Sequence, residues 1–526
     1  MNQKSLYKPI VLIILDGWGL TPSWSGNFIA SGQPRNFNYY WRNYPHQSLK
    51  SLAMVSSDRD TYPDSEICHT IIGAGRLVLP ISGIISSQIK SGEFYQNQIL
   101  HKIALNIFNA KTNLHLVGMI TKAHSVAELT HLQALLNYFK NKGVKNVYLH
   151  GILDGVDTNH NAGIGTIDWL EKTLESQNLG KIATLTGRGW IEDGDADLRQ
   201  IRISARALFE TNKIPTSPNP LQAIKNSYQN HVGDADFSPT LMLNFDPELS
   251  RIKPDDSIIF FNFNGRDISE YINIISNYNK NIYTLTDYSH LKTQPIFTTP
   301  KVSPTLSEVI SKNNLKIAKI TESYKEKNLI YDFNGYSHSK FTGEENFILK
   351  SYTSHDINKS PQLRLYDVKN MVVSKIVQGN FNLIVTNLPN VDICGHTGNS
   401  QVVETAVKYV DIAIAEIVEK TLSVGGCAIL TADHGLAEEM GKISSFTGQL
   451  KNFHTTNPVP FILINPDNRL DQHSLMQQVD RGSIISAMMG SDYNLADIAP
   501  TILELLGLAI PAEMTGKSLL SSLNKN

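Results

Sequence analysis

The sequence predicts an α/β protein built on largely parallel sheets, from three observations. Apolar runs of strand length recur along the chain, most are apolar on both faces, and amphipathic helix-like stretches lie between several of them. In order, the runs are "PIVLIIL" (9–15), "NLHLVGMI" (113–120), "NVYLHGIL" (146–153), "KIATLT" (181–186), "DSIIFFNF" (256–263), "NIYTLT" (281–286), "FNLIVTNL" (381–388), "CAILTAD" (427–433) and "VPFILIN" (459–465). Strands apolar on both faces belong between layers of helices, which is why the sheets should be parallel. The helix-like stretches include "HLQALLNYFKNKG" (131–143), which ends at a glycine, and "ETAVKYVDIAIAEIVEKTL" (404–422), with apolar residues at helical spacing and charges opposite. "LADIAPTILELLGLAIPAEMTGKSLL" near the C-terminus reads as a docked helix and turn.

At 526 residues the chain has room for two to four domains of roughly 100–200 residues, or two large ones. Its 41% hydrophobic and 18% charged residues fit a globular protein with a sizeable core, and no repeat or low-complexity segment stands out. A formal net charge of −2 gives no electrostatic case for nucleic acid or an anionic membrane surface. Three cysteines without a CxxC argue for a reducing compartment. The apolar run Ile10–Leu15 is too short for a signal sequence, and no segment approaches the ~20 apolar residues of a membrane span. A cytoplasmic protein is expected.

The chemistry lies where Asp and His residues fall. Asp16 follows "VLIIL"; Asp392 and His396 follow "FNLIVTNL"; Asp433 and His434 end "AILTADHG"; His454 opens "HTTNPVPFIL". Several occupy the C-terminal ends of predicted parallel strands, where open α/β sheets bind ligands. Singly, each reads as a turn residue, a cap or a structural histidine. Together, three Asp and three His offer oxygen and nitrogen donors without thiolate, a set that suits a pair of Mn²⁺ or Zn²⁺ ions and phosphoryl transfer. In "DSEICHTIIGAGR" (64–76), Ser65 is the candidate nucleophile, on the first turn of a helix whose free N–H groups would meet a phosphoryl group. His69, Cys68 and Cys394 read as structural.

At these motifs the chain resembles the cofactor-independent (2,3-bisphosphoglycerate-independent) phosphoglycerate mutases of the alkaline phosphatase superfamily. The carriers span nearly its whole length: "VLIILDGWG" (11–19), "DSEICHTIIGAGR", "LDGVDT" (153–158), "KIATLTGR" (181–188), "FFNF" (260–263), "VDICGHTGN" (391–399), "TADHGLAEEM" (431–440), "HTTNPVPFIL" (454–463) and "LADIAPTILELLG" (495–507). The resemblance implies an alkaline-phosphatase-like parallel-sheet domain over residues 1–80 and 301–526, with a second α/β phosphotransferase domain, 81–300, inserted into it. It implies that Ser65 is the phosphorylated nucleophile, that Asp16, Ser65, Asp433 and His434 hold one Mn²⁺, and that Asp392, His396 and His454 hold the other. The implied reaction is interconversion of 2- and 3-phosphoglycerate in glycolysis, by a monomer, through a phosphoserine intermediate. The inserted domain would close over the site to exclude water.

The metal half of the pattern is retained and the substrate half is not. Where the family has Arg in Asp-Gly-Arg-Asp-Thr stands Val156, although Asp157 remains. Its second arginine after "GR" falls on Gly194, leaving Arg188. Its Arg-x-x-Arg becomes Asn264 to Asp267, with Arg266 between. Its Thr-Glu-Lys-Tyr lysine becomes Ser323, and its substrate-side histidine falls on Val126, with His124 two residues away. Asp64 and Leu436 replace two asparagines. Asp157, Arg188, Arg266 and His124 are the remaining substrate-binding candidates, and Arg199, Lys122 and Lys325 are further cations nearby. Planar arginines are the natural clamp for a carboxylate and a phosphate, and each charged hydrogen bond lost costs ~1.5–3 kcal/mol. A phosphatase, phosphodiesterase or other phosphomutase with the same metals and another substrate is therefore the alternative, and a metal-binding relative without turnover the third reading.

Overall fold

The computed structural model describes residues 7–51, 64–123, 125–192, 197–265, 268–288, 291–352, 356–442, 453–470 and 492–523. Its strands in chain order are β1 (Ile10–Leu15), β2 (His46–Leu49), β3 (Leu114–Ile120), β4 (Val147–Leu153), β5 (Lys181–Gly187), β6 (Thr216–Ser217), β7 (Thr240–Met242), β8 (Ser257–Phe260), β9 (Ile282–Thr284), β10 (Gln294–Pro295), β11 (Ile317–Glu322), β12 (Glu344–Leu349), β13 (Leu383–Leu388), β14 (Cys427–Thr431) and β15 (Val459–Ile464). The chain divides into two compact units. One comprises the described residues through Val78 and from Pro300 onward; the other comprises those of Leu79–Thr299.

In the first unit a seven-stranded sheet runs β12-β11-β13-β1-β14-β15-β2. The ladder from β12 to β14 is parallel, and β15 alone runs antiparallel to both its neighbours. β1, β13 and β14 are buried at every position, as strands covered on both faces must be. The Ser400–Ser423 helix buries the apolar stripe Val403, Val407, Val410, Ile414 and Ile417 and packs on the Leu365–Gln378 helix. The Ile498–Leu505 helix is docked in the core, as its sequence predicts.

The second unit has its own core and an eight-stranded sheet, β10-β9-β8-β3-β4-β5-β7-β6, parallel except between β5 and β7. Here β8 stops at Phe260, short of the run through Phe263, because Phe263 leaves the ladder and its N–H turns to the carbonyl of Val126. Strands absent from the sequence reading are polar or short. β11 carries Lys319, Thr321 and Glu322, all buried, and β12 is an edge strand beginning with two glutamates.

Candidate metal centre and nucleophile

The rim at the C-terminal ends of β1, β13 and β14 collects the candidate residues. Asp16 directly follows β1, Asp392 lies on the Asn390–Gly395 helix after β13, and Asp433 and His434 follow β14. His454 precedes β15; that strand is antiparallel, so its N-terminal end lies at the same rim. Gly17 has φ +76°, and a Cβ there would stand 2.9 Å from Asp392 Cα, so only glycine lets the β1 loop pass so close.

Two groups form. Asp16, Asp433 and His434 bring one ligand atom each within 4.8 Å of one another, and Asp392, His434 and His454 do the same. Around Asp392 Oδ1, His454 Nε2 lies at 3.2 Å and His396 Nε2 at 3.3 Å, with the two imidazole nitrogens 3.3 Å apart. Ser65 opens the Ser65–Ala74 helix behind the N-cap Asp64, and its Oγ is 2.8 Å from His434 Nε2. All seven sequence-predicted metal residues thus meet at one rim. Asp392 Oδ1 and Asp433 Oδ2 are buried and accept no hydrogen bond. Orphaned carboxylate oxygens beside imidazole nitrogens are a donor set that divalent cations complete, so these residues fit metal ions.

Sequence reasoning missed Lys325 as part of this rim. Its Nζ donates to Ser65 Oγ at 2.8 Å and pairs with Asp392 Oδ2 at 2.8 Å and Asp16 Oδ2 at 3.0 Å. Ser323, at the position of the family's lysine, turns instead to Ser351. The sequence signal was a lysine two residues late. Asn387, at the end of β13, was also missed; it donates to Asp16 Oδ2 at 3.0 Å and meets His69 Nε2 at 2.9 Å. His69 Nδ1 in turn donates to the Ser65 carbonyl at 2.8 Å, so His69 braces the nucleophile's backbone.

The electrostatics follow from burying acids around one ammonium. Burial first, then Asp433, pushes Asp16 up to about 7, with Lys325 opposing. Burial raises Asp433 as well. Burial would raise Asp392 too, but Lys325 and the neighbouring imidazoles hold it well below the usual carboxylate range. Burial lowers His454, yet the Asp392 carboxylate 3.2 Å away lifts it to about 9. Burial drives His434 well down and His69 down to about 4, so both are neutral donor–acceptors. Burial lowers Lys325, but Asp16 and Asp392 outweigh it, and the ammonium keeps its proton.

The substrate candidates lie in the second unit. Arg188 is buried and fully engaged: its Nε donates to Glu192 at 2.7 Å, and its Nη1 to Asp154 at 2.8 Å and Asp157 at 2.9 Å. The structure brings Arg188 and Asp157 together as partners of one another. Lys122 and Asp154 line a cavity of about 200 Å³ with Thr121, Thr158 and Asp234. Arg199 is exposed on the Leu198–Arg206 helix. Arg266 and His124 lie outside the described residues.

Comparison with known proteins matches the model of the metalloenzyme superfamily over residues 8–510. The 2,3-bisphosphoglycerate-independent phosphoglycerate mutase of Clostridium botulinum (strain ATCC 19397 / Type A) is 30% identical, over 98% of this chain and 99% of that protein. The chain belongs to the metalloenzyme superfamily and to this mutase family. Another mutase of that family, from Listeria innocua, is 31% identical over 97% of this chain and 99% of its own length. A crystal structure of Leishmania mexicana phosphoglycerate mutase, obtained at low cobalt concentration, shares the fold, with a TM-score of 0.77 at 20% identity over 97% of each chain. The two-sheet α/β architecture above is therefore the mutase fold.

Proposed function

We propose that the chain interconverts 2- and 3-phosphoglycerate through a phosphoserine on Ser65, with two divalent metal ions, Mn²⁺ first and Zn²⁺ as the alternative. The observation that carries the reading is the meeting of Ser65 Oγ with His434 and Lys325 inside two adjoining groups of metal-ligating side chains. Full-length likeness to mutases supports this reaction over hydrolysis of another phosphate. Asp16, Ser65, Asp433 and His434 would hold one ion, and Asp392, His396 and His454 the other. Bound there, the ions supply Lewis acidity that lowers the Ser65 hydroxyl pKa and neutralises charge on the phosphoryl oxygens.

The chain's own residues do the rest. The Ser65–Ala74 helix aims its N-terminus at the entering phosphoryl group. Ser65 Oγ gives up its proton and attacks phosphorus, the bond to the glycerate oxygen breaks, and that oxygen takes up a proton. After glycerate reorients, its other hydroxyl gives up its proton and attacks the phosphoserine, and Ser65 Oγ leaves and takes a proton back. Lys325, a donor to Ser65 Oγ, offsets negative charge on that oxygen as it departs. Asp157 and Arg188 remain candidates for holding glycerate; a substrate carboxylate would have to exchange with one of the three acids now on the guanidinium. The enzyme would work in the cytoplasm, in keeping with the three buried free thiols, and as a monomer.

The test is conversion of 3- to 2-phosphoglycerate by the Mn²⁺-loaded chain, beside release of phosphate from an aryl phosphate. Conversion without phosphate release is expected, and Ser65→Ala should abolish it. Phosphate release alone would overturn the mutase reading.

A further inference from the structure

Glu438 has no part in the chemistry above, yet its side chain is fully buried and touches three of the loops that carry metal-ligating residues, those after Asp16, after His434 and after His454. Its Oε2 accepts the Leu436 N–H at 2.8 Å, two residues beyond His434. Its Oε1 accepts the Thr455 hydroxyl, next to His454, and the Asn457 side-chain amide at 2.9 Å. On its other side lies the loop after Asp16: a Cβ on Gly19 would stand 2.3 Å from the Glu438 carboxyl carbon. The same two loops are tied by their backbones, Thr455 N–H donating to the Gly435 carbonyl at 2.9 Å, and Ala437 N–H reaches the Gly17 carbonyl at 3.2 Å. Among the described residues no lysine or arginine pairs with this carboxylate. It is held by neutral donors alone, each drawn from a metal-bearing loop.

We propose that Glu438 is a positioning residue of the metal centre, setting His434, which both groups share, and His454 of the second group through a single carboxylate. A lone ligand such as His396 serves one group. Glu438 fixes the loops of both, so its loss should loosen both together. A buried acceptor that satisfies donors from separate loops holds them in register, and partners of this kind typically change metal affinity by about 10- to 100-fold when removed. Glutamine in its place keeps the volume but turns an N–H group toward one of the donors, leaving that loop unheld.

The inference rests on the two-ion reading above, and the experiment separates their failures. Metal-stripped wild-type chain, Glu438→Gln and Thr455→Val are titrated with Mn²⁺ by calorimetry, with circular dichroism and the melting temperature of the metal-free form recorded. Wild type is expected to bind two equivalents; if it binds none, the two-ion reading itself falls. Glu438→Gln should weaken both equivalents together by about tenfold or more, with unchanged circular dichroism. Thr455→Val, which removes one of the three donors, should weaken both by less. Should Glu438→Gln not fold, Thr455→Val decides. Wild-type affinity in the variants, a lower melting temperature with unchanged affinity, or weakening of one equivalent alone would each overturn the proposal.

Discussion

A buried ammonium among acids is stable only because each charge is answered. Lys325 reaches one carboxylate from each metal-ligating group, Asp16 and Asp392, as well as the Ser65 hydroxyl. Removing it takes away the fixed cation that, among the described residues, touches the nucleophile's oxygen, where charge develops as the phosphoserine forms and breaks. Loss of a single preorganised electrostatic donor costs on the order of 10²–10³ in turnover. Lys325→Met, of similar length and apolar, should therefore lower kcat at saturating Mn²⁺ by about that factor; kcat within threefold of wild type would show that the ammonium is a bystander. Ser323→Lys, which restores a lysine at the family's position, should not rescue it, because Ser323 is turned to Ser351.

At the scale of one element, the second unit's sheet holds a buried polar file across its strands. Asp256, just before β8, accepts from His115 on β3 at 3.2 Å; His115 Nδ1 meets His150 Nε2 on β4 at 3.0 Å; His150 Nδ1 meets Thr184 Oγ1 on β5 at 3.0 Å. With neutral rings the file has one direction: Thr184 donates to His150, His150 to His115, His115 to Asp256. Burial lowers the pKa of both histidines; Lys253 depresses His115 further against the pull of Asp256, and His115 depresses His150. The unfolded chain, with imidazoles near 6.5, therefore takes up protons before the folded one does. Stability contributed by the file is complete above about 6.5 and falls as pH drops below it. The urea midpoint of wild type should decline between pH 7.5 and 5.5 more steeply than that of His150→Asn; parallel slopes would remove the file as the cause. Nothing in "NLHLVGMI" or "NVYLHGIL" announces this pairing, because cross-strand register is not written in either segment alone. What was legible follows from the same limit. Runs buried on both faces, as in β1, β13 and β14, must be apolar throughout, and the Asp and His residues at their ends stand out against them. β11 escaped because Lys319 sits inside it, answered by Asn334 and Glu344 far along the chain. Lys325 and Glu438 escaped because their partners are fixed by the convergence of loops, not by spacing in the sequence.

At the scale of the whole molecule, the two units differ in what metal can do to them. Each unit has its own hydrophobic core, and all seven candidate ligands belong to the unit built on β1, β13 and β14. A ligand that binds only the folded state stabilises it by mass action, about 2.7 kcal/mol when free metal is one hundred times its dissociation constant. That energy protects the structure whose opening releases the ion. For this chain the rim lies across three central strands, so opening any of them would dismantle both groups of ligands at once. Chelation should therefore speed amide hydrogen exchange in β1, β13 and β14 together. Exchange in β3, β4 and β5, whose core contains none of the candidate ligands, should stay as it was. Mass-spectrometric exchange of the Mn²⁺-loaded chain before and after EDTA measures both sets in one sample. An equal rise in the two sheets would mean that metal governs the fold of the whole chain, and no rise in either would mean that the rim at β1, β13 and β14 does not bind it.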